Sequence, residues 1–522
     1  MISLSFIKGN KLKLGLNLGL FFIFIFIIIA KIPFLFDPPW YSDEGIYAAV
    51  AHEMNSGELL YKDVWDNKPP IIYYTYLIGI KLFNNPLFFA RFLTVITAII
   101  STILFYKIIK KVFINKKYFI PVFLFALFFS TPFLEGNIAN AENYYALFSV
   151  AGLYFLLQGF DKKKYLFLFG LMYGIGVMIK IHPLFEFIAL FIFLILSNLK
   201  KEGIVDYFKK DFKYLIYPII GLLIPFIFFS LVFIFQGNFT DFINTLLSQG
   251  TNYIKNDYNN IIDFLIGSLT GKTILLITSI VIISYLYFKK NIFKNDYFLL
   301  IILLFIFSLY SVFLSGRIYI HYLLEIVCPS ILLVIYFINY ISGKRNTEKI
   351  LYYLLITFIF LSLITPFAIF VKDKAEEAKS KGRDLWSYSS YYLYHYIDFG
   401  KKVSGNITEA EYNSQFDGNI NRLYELVNRT NSLKNKNIFV LDDIPWYYVL
   451  SDSNDSSKYV VYYHLGQEKV NLDQFLNNLN AEYILTNDEL YDKYDVKFTN
   501  YIKENYTLEK TFEIYKIYKK NS

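Results

Sequence analysis

The stretch from Asp37 to Pro70 carries the residues best suited to chemistry. A carboxylate at Asp43, set among Trp and Tyr side chains, could act as a general base toward a hydroxyl group. Lys68, followed by two prolines that stiffen the backbone, could bind a phosphate group. The stretch lies between long apolar runs and holds too many charges for a membrane span. It therefore predicts a site at a membrane surface.

The same residues also have an ordinary structural explanation. Ser42, two acids and then apolar residues at helical spacing predict a short amphipathic helix along the membrane, which ends at Asn55-Ser-Gly57. A serine N-cap with acids in the first turn complements the helix dipole. Lys68 could extend to a lipid headgroup instead of binding a specific phosphate. Both explanations stay open at this point.

A second group of polar residues follows Gly316. Arg317 and His321 are four residues apart, which places them on one face of a helix, and Tyr322 follows directly. Unpaired charges that enter a membrane are costly, so a functional or pairing reason is expected. Two cationic groups on one face suit an anionic headgroup. The alternative is an ion pair with Glu325.

Two further outer segments carry polar candidates. Lys180 and His182 lie in a tight turn before a proline, and a lysine on the outer side runs against the usual charge bias. Asn140 and Glu142, together with Glu135, flank another outer loop. Acids at a span boundary are commonly solvated, so either a site or a solvated edge explains them.

The composition predicts a polytopic membrane protein. Of 522 residues, 55% are hydrophobic and 20% aromatic, which exceeds the needs of one soluble core. The net charge of +8 comes from lysines clustered between apolar runs, so we expect no nucleic-acid partner. The single cysteine, Cys328, excludes an intramolecular disulfide and a cysteine metal cluster.

The apolar runs predict about eleven transmembrane helices. An uncleaved first span with a cytoplasmic N-terminus places every lysine cluster inside and the unusual polar residues outside. The runs lie at 14–36, 86–109, 118–134, 142–160, 165–181, 183–198, 214–236, 273–288, 297–315, 322–340 and 349–371.

The composition changes after about residue 371. We predict a membrane domain over 1–371, whose first outer loop spans 37–85, and a small extracytoplasmic α/β domain over 372–522. Short β-rich runs at 437–441, 458–463 and 481–486 predict strands, and 472–479 predicts a helix.

Several of these motifs together resemble those of the GT-C glycosyltransferases of the protein O-mannosyltransferase and aminoarabinose-transferase type. They are Asp-Glu-Gly-x-Tyr at 43–47, the Gly-to-Pro-Pro segment at 57–70, Ala90-Arg91, Ala-Asn-Ala-Glu at 139–142, and Gly316-Arg317 with His321-Tyr322. The chain lacks the Trp-Trp-Asp motif of oligosaccharyltransferases, which favours transfer of a single sugar.

The resemblance implies an inverting transferase that uses a polyprenyl-phosphate sugar at the outer face of the cytoplasmic membrane. Asp43 would be the base with Glu44 beside it, and Lys68, Arg317 and His321 would hold the carrier phosphate. The acceptor would be a lipid, a glycan or a protein. No cofactor is required; an Asp/Glu cluster could hold a divalent metal, but no residue pattern supports one. Secondary pocket candidates are Tyr47, Tyr61, Arg91, Asn140, Glu142, Lys180, His182 and Tyr322.

The alternative is a transporter or flippase of lipid-linked sugars without transferase activity. Intramembrane cationic residues suit both classes. We find no convincing internal repeat of the kind many transporters carry, and the polar residues gather at the outer face. Both observations favour the enzyme.

Overall fold

The computed structural model describes residues 4–113, 118–203, 212–248, 269–289, 296–314, 319–341, 395–416 and 420–521. Its contacts divide these residues into two compact units. The helical unit comprises the described parts of 1–34, 92–228 and 254–396, and the mixed unit those of 35–91, 229–253 and 397–522. The predicted domain boundary at residue 371 stays a prediction, because residues 342–394 are not among the described residues.

Long apolar helices dominate the first two thirds of the chain, because a helix satisfies its own backbone hydrogen bonds where water is absent. The described helices are α1 Leu4–Leu35, α2 Ser42–Ser56, α3 Ile71–Phe83, α4 Pro86–Val112, α5 Phe119–Phe128, α6 Ala141–Gln158, α7 Lys163–Val177, α8 Pro183–Glu202, α9 Ile216–Gln236, α10 Phe239–Ser248, α11 Leu269–Lys289, α12 Asp296–Val312 and α13 Leu324–Ile341.

The predicted spans up to 322–340 coincide with described helices, although the run at 118–134 is an α-helix only over α5. The last predicted span, 349–371, lies outside the described residues. By length and composition, five described segments could cross a membrane: Leu18–Leu35, Pro86–Val112, Pro183–Lys201, Phe212–Gln236 and Ile320–Asn339. The helical membrane fold is thus confirmed, but not the number eleven.

The helical unit packs its helices closely. A Cβ atom added at Gly152 of α6 would lie 2.5 Å from the Tyr173 ring of α7, so only glycine allows this approach. Helix α8 packs against α12, and α12 packs against α13. This packing holds the polar side chains of α6, α8 and α13 in fixed positions.

The mixed unit contains a five-stranded sheet in the order β2-β1-β3-β5-β4. Its strands are β1 Asn437–Leu441, β2 Asn454–Asp455, β3 Tyr483–Asn487, β4 Tyr506–Phe512 and β5 Tyr515–Lys520. β1 pairs in parallel with β2 and β3, whereas β5 pairs antiparallel with β3 and β4. The predicted α/β fold of the C-terminal part is therefore confirmed, whereas its extent as a separate domain stays a prediction.

Helices after residue 394 precede β1 and connect the strands. Residues 395–403 are helical, followed by α14 Glu409–Asn413, α15 Ile420–Arg429, α16 Trp446–Ser451, α17 Tyr463–Gln467, α18 Leu472–Asn478 and α19 Val496–Asn505. The strands predicted at 437–441 and 481–486 and the helix at 472–479 are confirmed within two residues. The strand predicted at 458–463 is wrong, since Val460 and Val461 are buried in an irregular segment instead of a ladder.

Helix α2 differs from the predicted surface helix. Every residue from Glu44 to Glu53 is buried, because the helix packs against α3 and α16. The sequence predicted Ser42 as the N-cap, but the N-cap is Tyr41, whose side chain makes no capping bond. Gly57 closes the helix at φ +110°, a conformation that favours glycine, as the sequence indicated.

Candidate functional site

Glu44 is half of a buried ion pair with Arg91. The Arg91 guanidinium donates from Nε to Glu44 Oε1 at 3.0 Å and from Nη2 to Oε2 at 2.6 Å. The Arg91 side chain is 3% exposed and the Glu44 side chain is 0% exposed. Arg91 Nη1 also donates to the Asp37 carbonyl at 2.9 Å. The pair therefore fixes the start of α2 against the chain that follows α1.

Asp43 lies directly beside this pair but in a different environment. Its side chain is half-buried and makes no hydrogen bond or ion pair with any residue that the structure describes. A carboxylate with no committed partner can accept a proton from a bound hydroxyl group. Of the two adjacent acids, only Asp43 has this freedom.

The C-terminal part of the chain packs on the same turn of α2. Trp446 Nε1 donates to the Tyr41 carbonyl at 3.1 Å. A Cβ atom added at Gly45 would lie 2.8 Å from the Trp446 ring and 2.9 Å from Pro445. Gly45 in the Asp-Glu-Gly motif is thus required by packing within the mixed unit.

Lys68 is held through its backbone as well as its side chain. Its N–H donates to the Tyr73 hydroxyl at 3.0 Å, and its carbonyl accepts from the Tyr61 hydroxyl at 2.7 Å. Its Nζ donates to Asn67 Oδ1 at 2.9 Å and lies 5.8 Å from the centre of the Tyr47 ring. Tyr47 and Tyr61, predicted as pocket residues, therefore surround Lys68.

Asp66 lies at the base of this arrangement. It is almost fully buried and accepts from the Tyr73 hydroxyl at 2.7 Å and from the Asn67 N–H at 2.7 Å. His464 lies in α17, and its Nε2 is 3.5 Å from Asp66 Oδ1. Burial lowers the pKa of His464 to about 4, so this imidazole is neutral at physiological pH.

The helical unit assembles most of the remaining candidates. Lys180 donates to Glu142, and its Nζ lies 4.0 Å from the centre of the Tyr322 ring. Asn140 caps α6 by accepting from the Ala141 N–H at 2.9 Å, which sets Glu142 in the first turn. Lys180 and Glu142 are both buried, so each neutralises the other's charge.

Two histidines complete this cluster. His321 Nδ1 lies 2.7 Å from Glu135, and its Nε2 lies 3.9 Å from Glu142. Glu325 pairs with His182 at 2.9 Å. His321 thus contacts Glu135 and Glu142, and Glu325 contacts His182, whereas a pair between Arg317 and Glu325 lies outside the described residues.

A small cavity lies within the helical unit. Glu186 and Glu325 line it, together with Tyr145, Ser149 and Tyr173. Tyr173 donates to Glu186 at 3.2 Å, and Tyr145 donates to Glu325 at 3.2 Å. In the described part of the chain, no group of three or more His, Cys, Asp or Glu has the geometry of a metal site.

The candidates thus fall into two groups, one in each unit. Asp43, Glu44, Tyr47, Tyr61, Lys68 and Arg91 belong to the mixed unit, and Asn140, Glu142, Lys180, His182, His321 and Tyr322 to the helical unit. Arg317 lies outside the described residues. Sequence reasoning missed Asp37, Asp66, Tyr73, Glu186 and His464; Asp37 and His464 have partners distant in the chain.

The chain was compared with known families. Residues 67–233 match the family described as dolichyl-phosphate-mannose-protein mannosyltransferase. The match includes Lys68, Arg91, Glu142 and Lys180 but begins after Asp43. A sequence comparison with curated proteins gives no match.

Solved structures provide the second comparison. The chain is similar to ArnT from Cupriavidus metallidurans bound to undecaprenyl phosphate, with 12% identity, a TM-score of 0.53, and coverage of 97% of this chain and 98% of that one. The apo state of the same protein gives 11% identity and the same TM-score and coverage. An Archaeoglobus fulgidus oligosaccharyltransferase tethered to an acceptor peptide has 10% identity, a TM-score of 0.46, and coverage of 90% and 69%.

Proposed function

We propose that this chain, which has the fold of ArnT and matches a mannosyltransferase family model over residues 67–233, transfers a single sugar from a polyprenyl-phosphate carrier to an acceptor hydroxyl group. The acceptor is a lipid, a glycan or a protein. The reaction takes place at the outer face of the cytoplasmic membrane, with the C-terminal sheet on that side. The undecaprenyl phosphate bound by the ArnT neighbour supports the choice of carrier.

One observation carries the assignment of the base. Two acids are adjacent in the motif, and one of them is committed to Arg91 while the other has no partner among the described residues. A catalytic base must be able to exchange its proton, which a doubly bonded, buried carboxylate cannot readily do. Asp43 is therefore the base, and Glu44 positions it.

The proposed step is a single displacement. Asp43 takes the proton of the acceptor hydroxyl, the acceptor oxygen forms a bond to the anomeric carbon, and the bond from that carbon to the phosphate oxygen breaks. The electron pair of the broken bond leaves on the polyprenyl phosphate. Because the acceptor oxygen attacks from the side opposite the phosphate, the configuration of the anomeric carbon inverts. Lys68 would stabilise the charge that develops on the phosphate.

The test is transfer by the purified protein from synthetic polyprenyl-phosphate sugars, combined with mass spectrometry of envelope glycans in cells with and without the protein. We expect a defined glycan to lose one sugar and its lipid-linked donor to accumulate in cells without the protein. If the donor accumulates in those cells while the pure protein moves it across vesicle membranes without transfer, the transporter is correct. Unchanged glycans and unchanged lipid-linked sugars would contradict the proposal.

A further inference from the structure

The proposed mechanism uses Lys68 but leaves unexplained why a buried acid lies two residues before it. Asp66 is 1% exposed, and its carboxylate accepts from Tyr73 and from the Asn67 backbone. Burial favours the neutral acid, but the charge of Lys68 and these two hydrogen bonds act against it, so the pKa of Asp66 lies below its ordinary value. Asp66 is therefore an anion at neutral pH.

An anion at Asp66 fixes the direction of the Tyr73 hydroxyl. The hydroxyl proton points to Asp66 Oδ2 at 2.7 Å, so the oxygen lone pairs remain available to the Lys68 N–H at 3.0 Å. A hydroxyl group that donates to a carboxylate becomes a better acceptor, because consecutive hydrogen bonds polarise one another. Asp66 and Tyr73 thus restrain the nitrogen side of the Lys68 backbone.

Tyr61 restrains the carbonyl side. Its hydroxyl donates to the Lys68 carbonyl at 2.7 Å, and its own backbone has φ +70°, which a residue other than glycine rarely adopts. Such strain persists only where the surroundings determine the conformation, and it is typical of functional sites. Lys68 is therefore restrained on both sides by side chains that lie in different elements.

His464 connects this arrangement to the C-terminal sheet. It is almost fully buried, its ring lies 5.2 Å from the Trp65 ring, and its Nε2 is 3.5 Å from Asp66. The neighbouring backbone is also connected, since the Trp65 N–H donates to the Lys458 carbonyl at 2.8 Å. The C-terminal part of the mixed unit thus contacts the residues on which Lys68 depends.

We infer that Asp66, acting through Tyr73, is a positioning residue that holds Lys68 for the carrier phosphate, and that His464 couples the C-terminal sheet to this function. The inference rests on the proposed function, in which Lys68 binds that phosphate. It assigns a role to the C-terminal sheet: that of preorganising the donor site rather than contacting the sugar.

The test measures binding of undecaprenyl phosphate to the purified full chain in nanodiscs, followed by donor and acceptor KM. For Tyr73→Phe and for Asp66→Asn we expect about tenfold weaker carrier binding and a donor KM raised by a similar factor, with the acceptor KM unchanged. The double variant should lose little more than either single variant, because both act on the same bond.

Two further variants keep the test decisive if either single variant folds poorly. His464→Gln should weaken carrier binding about two- to threefold, because it removes the contact between His464 Nε2 and Asp66. Thr75→Val is the matched control on α3: in the part of the chain that the structure describes, its hydroxyl bonds only to the Ile71 carbonyl of its own helix, so carrier binding should not change.

The outcomes separate the two proposals. If the wild-type chain binds undecaprenyl phosphate and transfers sugar while Tyr73→Phe and Asp66→Asn bind the carrier as well as wild type, the positioning role is wrong and the proposed function stands. A lower melting temperature with unchanged carrier affinity would also overturn the positioning role, because it shows that these residues only stabilise the fold. If the wild-type chain does not bind the carrier, both proposals are wrong.

Discussion

Arg91 and Glu44 form a bidentate ion pair at 3.0 and 2.6 Å within the mixed unit. The pair separates the roles of two adjacent acids that look equivalent in the sequence. Glu44 is buried and bonded to Arg91, whereas Asp43 is half-buried and makes no hydrogen bond or ion pair with any described residue. The motif therefore contains one structural and one chemically available carboxylate.

Breaking this pair should destabilise the protein. Arg91→Met leaves the Glu44 charge buried without a partner, and we expect the free energy of unfolding to fall by about 3–5 kcal/mol. Arg91→Met with Glu44→Gln should recover part of this loss, because the unpaired charge is gone. Thermal unfolding in detergent measures both. A double variant no more stable than Arg91→Met would contradict the assignment.

Gly45→Ala should separate α2 from Trp446. The added methyl group would lie 2.8 Å from the indole ring, and such overpacking typically costs about 1–3 kcal/mol. Trp446→Leu makes room, so Gly45→Ala should cost less in that background. Gly466→Ala is the control, because a Cβ atom there meets nothing within 4 Å. Equal effects of the Gly45 change in both backgrounds would show that the two residues do not interact.

The stability of the mixed unit should fall as the pH rises. Glu53 accepts from the Asp455 N–H at 3.0 Å, and burial raises the pKa of Glu53 from 4.5 to about 8. Between pH 4.5 and about 8, the folded chain keeps a proton on Glu53 that the unfolded chain releases. The stability that this proton gives is therefore lost over the same range as the pH rises. Glu53→Gln keeps the acceptor oxygen but removes the titration. We expect its free energy of unfolding to fall less than that of the wild type between about pH 5 and pH 9, a difference of order 1–3 kcal/mol. Identical pH profiles would contradict this.

The sequence predicted the individual candidates better than their partners. Asp43 and Lys68 are recognisable because an acidic, aromatic and proline-rich stretch is unusual between apolar runs. The helices follow from the length of those runs, and β1 and β3 from β-rich residues bounded by polar ones. The run at 458–463 has the same composition but forms no strand, because β2 at Asn454–Asp455 pairs with β1 instead.

The pairing of buried charges could not be predicted from the sequence. Arg91 and Glu44 are 47 residues apart, and Tyr412 donates to Asp37 across 375 residues at 2.6 Å. Such contacts depend on tertiary packing and leave no local periodicity. His321 shows the consequence, since the nearest acid in sequence, Glu325, is not its partner, whereas Glu135 is.

Lys180→Met should test the buried pair of the helical unit. It leaves Glu142 without its main partner, so we expect a loss of about 3–5 kcal/mol that Glu142→Gln in the same chain partly restores. Lys201→Met is the control, because its pair with Asp296 is half exposed and worth about 1 kcal/mol or less. If the two lysine variants lose the same stability, the buried pair is not the cause.

The most direct test of the central claim is sugar transfer by Asp43→Asn at unchanged protein level, with carrier binding measured in parallel. Glu58→Gln, an exposed acid of the same loop, is the control. Loss of a general base typically lowers the rate by about 10²–10⁴-fold, so we predict transfer from a synthetic polyprenyl-phosphate sugar to fall by that factor with carrier affinity kept. Transfer at the wild-type rate by Asp43→Asn would contradict the account.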